Sequence, residues 1–207
     1  LLIGTQDGLF EVSGNEIKKI EDVQVSVLLY SKKLKILFVA GKNGLAIYEH
    51  SSGRDLSARS PPSGGRGADK WKKIKVIPEV SEEVIRFCEE VNPDNVTLWL
   101  GTPLQGAMRL HFTDPFTETI DKYNSADGLI DNDWIYPFII NGEVVFSQRS
   151  GLMQFVNEEA MKMQLPDSLK NRQEFYRGYF DFYNIGSSKE HIGKPFYMVE
   201  DSQNRIY

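Results

Sequence analysis

The hydrophobic residues of this chain fall in short runs that alternate with polar ones, and glycine, proline, asparagine, aspartate and serine separate the runs. A period of two, punctuated in this way, is the mark of half-buried β-strands joined by turns. The first predicted strands are Leu1–Ile3, Leu9–Val12 and Ile17–Ile20, with Ser13-Gly14-Asn15 turning the last pair. A longer run, Val23–Tyr30, puts Val25, Val27 and Leu29 on one face. Leu34–Ala40 and Leu45–Tyr48 follow, joined by Lys42-Asn43-Gly44. Strands are then expected at Trp71–Ile77, ended by Pro78, at Val84–Val91, at Val96–Leu100, at Met108–Phe112 and at Thr117–Tyr123. Trp134–Ile140 reads as a strand in which Pro137 marks a bulge or an edge position. Asn141-Gly142 is a type I′ hairpin signal leading into Val144–Ser147.

Two stretches depart from the alternation. Residues 51–70 are rich in Gly, Ser, Pro and Arg and read as a surface insertion, locally basic together with Lys70, Lys72, Lys73 and Lys75. A solvated loop is the plain reading, and contact with an anionic ligand or partner is the alternative. Residues 157–163 suit two helical turns capped by Asn157 and stopped by Pro166. An aromatic run, Phe175 to Tyr183, and a final strand–turn–strand at 195–207 complete the chain.

Within the β pattern one phrase repeats. It is Leu2-Ile3-Gly4-Thr5-Gln6-Asp7-Gly8-Leu9-Phe10, then Val39-Ala40-Gly41-Lys42-Asn43-Gly44-Leu45-Ala46-Ile47, then Trp99-Leu100-Gly101-Thr102-Pro103-Leu104-Gln105-Gly106-Ala107, and in worn form Phe146-Ser147-Gln148-Arg149-Ser150-Gly151-Leu152-Met153. The second glycines, Gly8, Gly44, Gly106 and Gly151, are 36, 62 and 45 residues apart, and the long interval contains the insertion. Four-stranded units at that period predict a β-propeller, in which each small sheet covers its faces against its neighbours. We expect an all-β fold: a single partial propeller domain of about four blades of four antiparallel strands, itself a fragment of a larger propeller. The blades lie near 1–20, 23–77, 83–123 and 134–183, with the start of another at 196–207. The second glycine of each phrase is expected at positive φ, and the first, Gly4 or Gly101, at a close approach between blades.

Composition narrows the function. The net charge is −5, which disfavours general nucleic-acid binding. A single cysteine, Cys88, excludes an internal disulfide and a multi-cysteine metal site. It alternates with apolar neighbours as a core thiol does. His50, His111 and His191 lack a second ligand at metal spacing. The acidic pairs Glu82-Glu83, Glu89-Glu90 and Glu158-Glu159 are adjacent in sequence, so on a strand they point to opposite faces and form no acid–base pair. No catalytic residue, cofactor or metal is expected. No stretch has the length of an apolar membrane span. The chain opens and closes inside strands, which suggests a piece of a longer protein.

The repeated phrase resembles the two-component regulator propeller repeat, whose blades carry a Trp-Ile-Gly-Thr-x-x-Gly-Leu-type sequence. Ala126-Asp127-Gly128-Leu129-Ile130-Asp131-Asn132 is similar to that family's blade opening, and Val199–Tyr207 to its acidic hairpin. The chain departs from the pattern at the insertion, at the longer turn Thr102–Gln105, at Ser147 in place of the first glycine, and over 157–195. The resemblance implies the extracytoplasmic, periplasmic sensor of a bacterial transmembrane regulator, binding an oligosaccharide or other small ligand without chemistry. It implies a membrane connection through parts of the protein outside this chain, and a homodimer in the full-length protein. An intracellular scaffold and a polysaccharide lyase or hydrolase are the competing classes. The expected ligand-binding residues are Gln105 and Arg149, in the variable turn of the phrase, and Asp133 and Trp134, at the entry to a blade. An aromatic ring with polar and charged partners is the usual equipment for a sugar.

Overall fold

The computed structural model describes residues 1–51, 70–148, 151–156 and 180–182. They form four antiparallel sheets, and no α-helix occurs among the described residues. The chain divides into two compact units, Leu1–Glu83 with Asp114–Phe116, and Val84–Thr113 with Thr117–Tyr207.

The first unit holds two sheets. One is β1 (Leu2–Thr5), β2 (Gly8–Ser13) and β3 (Glu16–Glu21), in that order. The other is β4 (Val27–Ser31), β5 (Ile36–Gly41), β6 (Gly44–Ser51) and β7 (Lys70–Ile77). Leu9, Val25, Leu37, Val39 and Tyr48 form the core between these two sheets. The strand β5 is buried at every residue, so its sequence Ile-Leu-Phe-Val-Ala-Gly is continuously apolar instead of alternating. Trp71 and Ile74 cannot share a face by simple alternation. The ladder explains them: Ile47 pairs with Lys75 and Tyr48 with Lys73, so Ile74 is the extra residue of a β-bulge. A polar link ties the two sheets, because the buried Tyr48 hydroxyl donates to Glu21 Oε2 (2.6 Å) while Lys73 pairs with Glu21 Oε1.

The second unit repeats the plan. One sheet is β8 (Arg86–Val91), β9 (Val96–Gly101), β10 (Ala107–Phe112) and β11 (Glu118–Tyr123). A 3-10 turn, Ser125–Asp127, capped by Asn124, leads on to β12 (Tyr136–Ile140), β13 (Glu143–Gln148), β14 (Gly151–Phe155) and β15 (Phe180–Phe182). Cys88, Trp99, Tyr123, Phe146 and Met153 are among the residues that fill the space between these sheets. Arg109 lies in the same seam, its guanidinium 5.6 Å from the Trp99 ring, 5.7 Å from Tyr123 and 5.1 Å from Phe155, and bonded to Asp121 at 2.6 Å.

The glycines behave as the repeat requires. Gly8, Gly44, Gly106 and Gly151 all have positive φ. A Cβ on Gly101 would lie 1.8 Å from the Ile135 carbonyl oxygen, and one on Gly4 would lie 2.4 Å from Val25 Cγ1. Asn141 and Gly142 have φ of 52° and 79°, the pair of left-handed residues that a type I′ turn needs. Pro137 lies in β12, an edge strand, where its missing N–H breaks no ladder.

The strand starts differ from the sequence reading. Val23–Tyr30 was expected to be extended throughout, yet β4 begins at Val27, because the Val25 N–H goes to the Thr5 carbonyl (2.9 Å). Likewise β8 begins at Arg86, since the Ile85 N–H bonds to the Gly101 carbonyl. The insertion, the expected helix at 157–163, most of the aromatic run and the last strands fall outside the described residues.

Candidate functional site

Asp133 and Trp134 do not begin a strand. Trp134 has φ of 52°, a left-handed conformation that is costly for a bulky residue, and β12 starts only at Tyr136. The backbone is held there by the turn of the repeated phrase. The Trp134 N–H donates to the Pro103 carbonyl (2.9 Å), the Ile135 N–H to the Thr102 carbonyl (3.1 Å), and the Gly106 N–H to the Asn132 carbonyl (2.8 Å). The structure thus brings together three of the four expected residues, Gln105, Asp133 and Trp134, all of them exposed. The fourth, Arg149, falls outside the described residues. Leu104, at the tip of the turn, is 69 % exposed and Trp134 48 %, so two large apolar side chains of the turn and the connector stand at the surface.

The turn is built by a residue that the sequence reading passed over. Thr102 is fully buried; its hydroxyl donates to the Gly106 carbonyl (2.9 Å) and accepts the Gln105 N–H (2.9 Å). In the first phrase Thr5 does the same, donating to the Gly8 carbonyl and accepting the Asp7 N–H. Each threonine closes its own turn, which is why Thr follows the first glycine in both copies. The carbonyls of both also receive an N–H from the residue leading to the next sheet, Val25 in one unit and Ile135 in the other.

In the worn copy the residue at this position is Gln148, and it behaves differently. It is fully buried, its Oε1 accepts the Asp131 N–H (3.0 Å), and its Nε2 has no hydrogen-bond partner among the described residues. The connector 129–134 is therefore fastened on one side to the 102–106 turn and on the other to Gln148. Leu129 anchors it in the core, and the Asn132 Oδ1 accepts the Ser125 N–H.

At the far end of the β12–β13 hairpin a groove of about 200 Å³ is lined by Glu90, Trp99, Val144 and Phe155, with Gly142 and Glu143 at its rim. It is a seam of packing. Trp99 is buried, its ring lies against Arg109, and its Nε1 faces Glu90 at 3.4 Å. Gln154 lines the groove as well, so Glu90, Glu143 and Gln154 bring polar groups to the mouth of this seam.

The other candidates do not assemble a reactive centre. Burial pushes the Cys88 thiol far above its ordinary range, with the Glu90 carboxylate adding to the effect, so no thiolate is on hand as a nucleophile. His111 contacts the Thr97 hydroxyl at 3.2 Å and His50 packs edge-on against Trp71, while His191 lies outside the described residues. No group of three His, Cys, Asp or Glu side chains is placed to hold a metal ion among the described residues. No helix among them is long and apolar enough to cross a membrane.

No family model and no curated protein matches the chain. Among solved structures it is similar to the crystal structure of an extracellular domain assigned to a hybrid two-component system, BT4673 of B. thetaiotaomicron. The TM-score is 0.60 at 14 % identity, and the match covers 98 % of this chain. The chain corresponds to 22 % of that one, and at this identity the likeness speaks for the shared fold of antiparallel sheets.

Proposed function

We propose that this chain is part of an extracytoplasmic β-propeller of the two-component regulator propeller repeat family, the sensor of a bacterial transmembrane regulator. It binds an oligosaccharide or another small polyhydroxylated ligand and carries out no chemistry on it. The observation that carries the reading is the fold match over nearly the whole chain to an extracellular two-component domain. Two features of this molecule support it. All three of its four-stranded sheets run up and down in sequence order, as propeller blades do. The phrase turn and the connector, joined by backbone hydrogen bonds, also carry the exposed Gln105, Asp133 and Trp134.

Binding at this surface acts by favouring one arrangement of the sensor over another. The rest of the regulator, including its membrane span and a homodimer contact, belongs to chain outside these residues. The test is a thermal-shift and calorimetric screen of the protein against short neutral oligosaccharides. Saturable binding that is lost in W134A and D133A, with unfolding temperatures unchanged, is the expected outcome. Turnover of a glycan would place the protein among the enzymes, and a flat response across the whole panel would remove ligand sensing of this kind.

A further inference from the structure

We propose that Gln148 is a specificity residue of the same ligand surface: its Nε2 donates to an acceptor oxygen of the bound ligand, a hydroxyl or carbonyl, once the 129–134 connector shifts away from it. The inference rests on the sensor reading given above.

It begins with an unpaired donor. Gln148 is fully buried and its amide nitrogen has no partner among the described residues, a state that is costly for a buried polar group. Rotating the amide by half a turn does not relieve it. The Asp131 N–H points at Oε1 from 3.0 Å, and the flipped amide would set two donors against each other. The side chain is therefore oriented by the connector, and the oriented group leaves a donor unused.

Its place in the repeat makes this a departure from the pattern. Counting back from the second glycine, Gln148 occupies the position of Thr5. In the two copies with threonine after the first glycine, the side chain spends its donor and one acceptor lone pair on its own turn. Glutamine is longer, reaches the connector instead, and leaves both N–H donors of its amide unused. The connector it holds carries Asp133 and Trp134 two and three residues further on, and both are exposed.

The connector that holds Gln148 through the Asp131 N–H also carries the exposed Asp133 and Trp134. Asp131 is only partly buried, and the left-handed Trp134 next along is a strained residue of the kind concentrated where backbone changes shape. A ligand oxygen that replaces the missing partner recovers the cost of the unpaired donor, so the shifted connector gains stability only when ligand is present. The chemistry this selects is an acceptor oxygen next to an aromatic face, with Asp133 and Gln105 able to accept from or donate to neighbouring hydroxyls.

The experiment measures binding of short malto-, xylo-, manno- and cello-oligosaccharides to the wild type, Q148E and Q148M by calorimetry, with thermal unfolding of each protein alongside. Q148E keeps the acceptor for Asp131 and loses the donor, and Q148M is apolar and of similar size. The expected result is a loss of affinity of about tenfold or more in both variants for the sugar that the wild type binds. An ordered water in place of ligand predicts changed unfolding temperatures with unchanged affinity, which overturns the proposal. Wild-type binding retained in whichever variant folds overturns this inference and leaves the sensor reading standing. No wild-type binding to any sugar overturns both.

Discussion

Gly106 and Gly142 offer a controlled comparison, because they have the same backbone conformation in different surroundings. Both have φ of 79°. A Cβ built on Gly142 meets nothing within 4 Å, whereas on Gly106 it would lie 2.1 Å from the Tyr123 carbonyl oxygen and 3.3 Å from Asn124 Cα. Alanine at either site incurs the left-handed penalty of about 1–2 kcal/mol. Part of that is offset by about 0.4–1 kcal/mol, because alanine restricts the unfolded chain. G142A should therefore cost about 1 kcal/mol. G106A adds an overlap with backbone that has no rotamer to yield. Overpacking of this kind costs about 1–3 kcal/mol. The displacement also strains two bonds made by Gly106, its N–H to the Asn132 carbonyl and its own carbonyl to the Thr102 hydroxyl. Each buried group left unpaired adds about 1–3 kcal/mol, so G106A should cost about 3–5 kcal/mol. Urea unfolding followed by tryptophan fluorescence measures both, and since both sites lie in one compact unit the same transition reports them. Equal midpoints for the two variants would refute the claim that close approach, and not φ alone, dictates glycine at the second position of the phrase.

Three further outcomes follow from the contacts. T102V should lose about 1–3 kcal/mol because it strands the Gln105 N–H and one lone pair of the Gly106 carbonyl, while T102S retains most of the stability; thermal unfolding compares them. Burial works against the charge on Glu21, but hydrogen bonds from Lys73 and Tyr48 outweigh it and hold the carboxyl below its ordinary 4.5. Its contribution is therefore complete above the ordinary carboxylate range and is lost as pH falls through the lowered value, so E21Q should be less stable than wild type at neutral pH, with the gap closing in acid. R109A should destabilise more than D121A in chemical denaturation. The exposed ion pair alone is worth about 1 kcal/mol or less, whereas the guanidinium also packs against three rings.

Most of the β framework is legible in the sequence, because strand alternation and turn chemistry are local. The Asn141-Gly142 turn, the edge position of Pro137 and the positive φ of the second glycines each follow from a few neighbouring residues. What escapes is set by partners distant in sequence. Val25 and Trp134 look like strand residues from their apolar neighbours, yet each lies outside a strand because backbone N–H groups there or next to them bond to a phrase turn some 20–30 residues earlier. The bulge at Ile74 is visible only as a three-residue gap where two was expected, and which strand absorbs it depends on the partner ladder. For the candidate site the sequence names Gln105, Asp133 and Trp134 separately, and only the hydrogen bonds between turn and connector show that their backbones lie together. Thr102 was missed, although its recurrence after the first glycine in two copies was a usable signal.

The same comparison shows why Gln148 was hard to find and where recognition can reside. A repeated turn fixes its backbone through glycine, and two copies satisfy that backbone with a threonine whose donor and one acceptor lone pair are used within the turn. Such a hydroxyl has no donor left to offer a ligand. Replacing it with a longer amide leaves two N–H donors unpaired and ties a neighbouring connector to the turn, at a cost to the empty protein. Evolution tolerates a cost of that kind where function recovers it, so in this architecture the informative positions are those where a copy abandons the residue that closes its own turn. The second phrase makes the contrast: counted back in the same way, Gly41 stands in the threonine's place, and it has no side chain to leave unpaired. Gln148 instead puts a polar side chain into the core at this position, and that sets it apart from ordinary drift between repeats.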